Sequence, residues 1–155
     1  MAFRFTGLSP EPFAPLFALS DAALAAQGMR RVIADSRLGF PCRVSLEDAE
    51  VGERLILLPF EHQPAHSPYK ASGPIFVREN AREAFNRSDM IPQVLHNRLL
   101  SLRGYDSDDL IVEADVVDGA NVEAALARFF TREAVRYVHI HNARRGCYSC
   151  CVDRA

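Results

Sequence analysis

Lysine is almost absent from this chain: Lys70 is the only one, and every other basic residue is an arginine. The formal net charge is −2 over 155 residues, so there is no broad cationic surface, and neither nucleic acid nor an anionic membrane is an expected partner. Long apolar runs are missing too. None approaches the roughly 20 residues that cross a bilayer, and Arg4, Pro10, Pro12 and Pro15 interrupt the N-terminus before a signal-peptide core forms. A cytoplasmic protein is expected. Cysteine is scarce outside the C-terminus, where three of the four are crowded; that spacing is unlike a secreted disulfide framework. Glycine-rich nucleotide fingerprints, phosphate loops and Gly-x-Ser-x-Gly turns are all lacking, so no reaction follows from a motif. Asp106, Asp108 and Asp109 do not make a calcium loop, because Leu110 and Ile111 take its fifth and sixth positions.

What is present is an ordinary globular balance, 48% hydrophobic and 25% charged, in a length that suits one domain over residues 1–155. Alternation predicts a first strand over 3–8. Ser9-Pro10-Glu11 resembles a helix start, and Ser20 caps a second helix that ends near Gly28. Strands are predicted over 30–34, 54–58, 74–78, 98–103 and 110–117. Residues 60–73 carry Pro64 and Pro68, show no period, and read as a long loop of the kind that often carries function. A helical stretch is expected over 79–85. Asn121 to Phe130 is an amphipathic helix with Val122, Ala125, Leu126 and Phe129 on one face and Asn121 as its cap. Strands that neighbour each other in sequence, with two to four inserted helices and a C-terminal β-hairpin, indicate an α+β fold with a mostly antiparallel sheet.

The hairpin, residues 136–155, concentrates the chemistry. Tyr137, His139 and His141 share one strand face, and Val138 and Ile140 share the other. A three-residue turn of Arg144-Arg145-Gly146 places His141 opposite Ser149 and His139 opposite Cys151. Val138, Ile140, Tyr148, Cys150 and Val152 then point inward, and His139, His141, Cys147, Ser149 and Cys151 lie on the other side. A four-residue turn slips the register by one and brings Cys150 to the histidines. His139, His141 and Cys147 form a donor set suited to a transition metal, zinc or iron, with Cys42 or Cys151 as a fourth ligand. A solvated polar face is the plainer alternative. Cys147-x-x-Cys150 lies in a strand, where buried thiols serve more often as small apolar residues than as a redox pair. His62 and His66, four apart, are not a helical metal pair because Pro64 separates them.

Several segments together, Phe40 to Glu53, His62-Gln63, Ser67 to Val77, Arg103 to Asp106 and His139 to Cys147, resemble the bacterial family called domain of unknown function 1203. The resemblance covers most of the chain and implies a small, single-domain bacterial protein. It implies no activity and no catalytic residues. It does draw attention to the Pro41-Cys42-Arg43 turn, the long loop and the terminal hairpin.

The leading expectation is a domain that binds a small anionic molecule, or an enzyme acting on one, through Arg43, Tyr69, His139, His141, Asn142 and Arg144. Arginine forks hold the anion, and a histidine moves a proton near neutral pH. A metal-binding or thiol-redox protein built on the hairpin is the second. A non-catalytic module that docks a partner on the hairpin edge or the long loop is the third.

Overall fold

Alternating side chains along Phe3–Thr6 (β1) bury Phe3 and Phe5 and leave Arg4 outside, and the same period organises most of the chain. The computed structural model describes residues 2–155. After β1 come α1 (Asp21–Ala26), β2 (Arg30–Ile33), β3 (Arg54–Gln63), β4 (Ala71–Arg78), β5 (Asn86–Ser88), β6 (Leu99–Tyr105), β7 (Ile111–Asp118), α2 (Val122–Phe130), β8 (Tyr137–Asn142) and β9 (Tyr148–Arg154). Short 3-10 turns lie at Ala14–Ala18, Gln93–Leu95 and Gly119–Asn121. The fold is α+β. Six strands form one sheet in the order β5-β1-β9-β8-β6-β7, and β2-β3-β4 form a second; every pairing within them is antiparallel. Among the described residues no helix is long and apolar enough to cross a membrane.

One face of the large sheet carries Leu100, Leu102, Val138, Ile140, Cys150 and Val152, and packs with the apolar stripe of α2. The predicted stripe, Val122, Ala125, Leu126 and Phe129, is buried together with Phe130. Burying each large member of that stripe contributes about 1.5–3 kcal/mol as an upper bound. Asn121 does not cap α2 through its side chain, because the 3-10 turn at Gly119–Asn121 leads the chain into the helix instead. Ser20 does cap α1: its Oγ accepts from the Ala23 N–H at 3.1 Å.

Three further expectations are corrected. The loop over 60–73 is shorter, since β3 runs to Gln63 and β4 begins at Ala71, with a register shift between Phe60 and Gln63. The strand therefore continues past the point where its period fades. The stretch over 79–85 is not helical. Its backbone bonds go elsewhere: Phe85 donates to the Val44 carbonyl and accepts from the Gly7 N–H, both at 2.8 Å. The chain then enters β5 beside β1. Finally, Ser9-Pro10-Glu11 starts no α-helix; turns lead to the 3-10 segment Ala14–Ala18.

Candidate metal centre

The register of β8 and β9 decides which hairpin side chains meet. Asn142 donates to the Cys147 carbonyl and accepts from the Gly146 N–H, so the turn holds four residues. His141 therefore pairs with Tyr148 rather than Ser149. Ser149 is then the extra residue of a bulge, after which Ile140 pairs with Cys150 and His139 with Cys151. Cys150 consequently belongs to the apolar core, and burial pushes its thiol up to about 12. Tyr148 is the residue the bulge reassigns. Its ring lies among the histidines, not with Val138 and Ile140.

The histidine face is buried as well. His139 is 6% exposed and His141 is 1% exposed, because the distal end of β3 lies against this face. There Gln63 donates to the Tyr137 hydroxyl at 3.0 Å, and His62 stacks on Tyr148 with centroids 5.4 Å apart. His62 also meets His141 edge-on at 4.9 Å. The result is three imidazoles, His62, His139 and His141, whose nearest nitrogens all lie within 4.8 Å of one another.

The hydrogen bonding of these rings is incomplete. His62 Nδ1, His139 Nδ1 and His141 Nε2 are buried without a hydrogen-bond partner among the described residues. Buried polar atoms are nearly always paired, and each such gap calls for an explanation. The second nitrogen of His141 is accounted for: Nδ1–H donates to the Gly146 carbonyl at 2.9 Å. A carbonyl only accepts, so the proton is on Nδ1 and the lone pair is on Nε2. Fixing the tautomer through the non-ligating nitrogen is what metal-binding histidines commonly do.

Electrostatics favour the neutral form of all three rings. Burial pushes His139 down to about 4 and His141 down to about 3. His62 is lowered by burial and then by Arg103. Arg103 pairs across the strands with His139 and disfavours protonation of all three rings. Neutral imidazole is the ligand form, so no proton has to be displaced near pH 7.

Of the three ligands expected from the hairpin, His139 and His141 belong to this cluster. Cys147 does not: its Sγ lies 4.0 Å from the Arg145 carbonyl, beside a cleft. The thiols considered as a fourth ligand are engaged elsewhere. Cys42 Sγ accepts from the N–H groups of Val44 and Arg78, both at 3.4 Å, and Cys151 Sγ donates to Asp153 at 3.9 Å. All four cysteines are free. The expected anion-binding set is divided. Arg43, Asn142 and Arg144 line the cleft with Cys147, while His139 and His141 lie in the histidine cluster. Tyr69 is exposed, with its ring edge-on to Tyr105. The sequence does not mark His62 as a member of the site, because only the packing of β3 onto β8 and β9 brings it there.

A family model described as Protein of unknown function (DUF1203) matches residues 39–154. The chain belongs to that family. No curated protein and no solved structure matches it. The span matched to DUF1203 contains His62, His139, His141, Gly146 and Arg43, and hence both the imidazole cluster and the floor of the cleft. It begins after β1, α1 and β2. The DUF1203 span thus carries both strand segments that converge on the cluster.

Proposed function

We propose that this protein binds a divalent transition metal, zinc in the first place, at His62, His139 and His141, and that the centre is of the open, catalytic type. The observation that carries this reading is three imidazoles that each offer a nitrogen within 4.8 Å of the others, on rings that each keep a buried nitrogen without a partner among the described residues. A set of three neutral nitrogen donors with no carboxylate suits zinc better than iron(II), whose open sites commonly include a carboxylate. Structural zinc sites take four protein ligands, whereas three leave a position for water. Zinc held by these three imidazoles would lower the pKa of a bound water to about 7 and would supply hydrolytic chemistry there.

A small anionic molecule is the substrate class that fits. Arg103 borders the cluster and makes no side-chain hydrogen bond or ion pair among the described residues, so its guanidinium is available to an acid group beside the metal. Four free thiols agree with a reducing compartment such as the bacterial cytoplasm.

The test is a zinc titration of untagged, chelator-stripped protein against a chromophoric competitor. One equivalent is expected to bind, binding is lost in His62→Ala and in His139→Ala, and it is kept in Cys147→Ser. Failure of the wild type to bind zinc, copper or nickel, or a requirement for Cys147, overturns the assignment.

A further inference from the structure

A cleft of about 800 Å³ opens beside the hairpin turn, and none of the three histidines lines it. We infer that it is a second site, for a small organic anion bearing a phosphate or carboxylate group, with Arg43 as its anchor.

Arg43 is the central observation. It lines the cleft and is only 2% exposed, yet no carboxylate lies in ion-pair range of it among the described residues. A buried cation is ordinarily paired, since an unpaired one leaves its desolvation penalty uncompensated. Two backbone carbonyls orient the guanidinium: Nε donates to Tyr148 at 2.7 Å and Nη1 donates to Pro41. Nη2 is left for a ligand. Arg43 remains charged at neutral pH, although burial lowers it to about 10.

The neighbouring arginine shows the contrast. Arg98 also lines the cleft, but Asp48 clamps it through both carboxylate oxygens, at 2.9 and 2.7 Å, and it donates to the carbonyls of Val94 and Leu38 as well. Arg98 holds the wall together, whereas Arg43 has no such partner. Arg144 and Arg145 are exposed on the hairpin turn, line the same cleft and make no side-chain hydrogen bond or ion pair among the described residues. Their guanidinium forks suit bidentate contacts with an acid group in the cleft.

Two further features complement an anion. The cleft wall includes Gly119, Ala120 and Asn121, which lead into α2, and neither Asp118 nor Asn121 caps that stretch with its side chain. The start of that nine-residue helix adds positive potential to this wall. Asn142 also lines the cleft and keeps a buried Oδ1 without a donor. A hydroxyl or N–H on the ligand supplies that missing bond. The ligand is therefore an acid group attached to a body that carries a hydrogen-bond donor.

The experiment is an NMR titration of the metal-stripped full chain, reading backbone amide shifts, with inorganic phosphate in one arm and glycolate in the other. Saturable binding of at least one probe is expected, with shifts centred on residues 118–122 and 142–147 rather than on His62 and His139. The double variant Arg144→Ala, Arg145→Ala removes two exposed side chains, should melt like the wild type and should weaken binding at least fivefold. Arg43→Met should weaken it at least tenfold; its melting temperature, measured in parallel, separates misfolding from loss of the anchor. Shifts that do not saturate, shifts centred on the histidines, or unchanged affinity in the double variant each overturn the site. Because the metal is absent throughout, failure here leaves the zinc reading untouched.

Discussion

The Nδ1–H of His141 donates to the carbonyl of Gly146 at 2.9 Å, and this bond leaves the lone pair of His141 on the buried Nε2. Gly146 holds a φ of +80°, in the left-handed region. A Cβ there meets no atom within 4 Å, so Gly146→Ala brings backbone strain alone. Stability should fall by about 1–2 kcal/mol. Zinc affinity should fall about tenfold or more, the usual consequence of disturbing the bond that orients a ligating histidine. Urea melts and competitive zinc titration read the two effects separately. Unchanged affinity alongside lost stability would mean that the carbonyl at position 146 keeps its place despite the strain.

Acid should destabilise the metal-free protein. In the unfolded chain His139 and His141 titrate near 6.5, whereas in the fold burial holds them at about 4 and about 3. Between these limits the unfolded state binds more protons, so stability decreases as the pH falls from about 6.5 towards 4. The slope reaches up to about 2.7 kcal/mol per pH unit while both groups differ between the two states. Urea melts at pH 7, 6 and 5 measure it, and His139→Gln should roughly halve it. A profile that is flat over this range would show that both rings take up protons without unfolding.

Asp48 and Arg98 form a pair that is almost buried, with side-chain exposures of 4% and 14%. Asp48→Ala strands the guanidinium and should lower stability by about 3 kcal/mol. Thermal unfolding checks this. Zinc stoichiometry should not change, since neither residue belongs to the histidine cluster.

Gly119→Ala should fail for a different reason. The added Cβ falls 1.8 Å from the Leu95 carbonyl oxygen, and a backbone atom cannot swing aside as a flexible side chain can. A loss greater than about 3 kcal/mol, or insoluble protein, is expected. Normal melting of this variant would mean that the approach to α2 adjusts more freely than its packing implies.

The thiols should differ in reactivity. Cys150 is fully buried, and its thiol is pushed up to about 12. Cys147 is half-buried at the cleft. Iodoacetamide at neutral pH should label Cys147 well before Cys150, with Cys150 following only global unfolding. Peptide mapping by mass spectrometry decides the order.

Local pattern carried much of the architecture. The period of 3.6 between Val122 and Phe130 marks α2 and its buried stripe. Alternation in the terminal hairpin put His139 and His141 on one face and Val138 and Ile140 on the other. That pattern states which residues share a face but not what covers the face; β3 lies against it, where the pattern alone also allows a solvated surface.

The sequence by itself determined the α+β class, the two histidines that point the same way, and the buried partners on the other side of their strand. These are short-range matters, set by the pleat of a strand and the turn of a helix. Tertiary structure alone decided three things. Packing of the small sheet against the large one brings His62 to His139, 77 positions away. A bulge at Ser149 moves Tyr148 to the histidines and returns Cys150 to the core. A buried turn holds Arg43 beneath the cleft with no carboxylate in ion-pair range among the described residues. Each depends on contacts between distant segments, whose closure local periodicity does not encode.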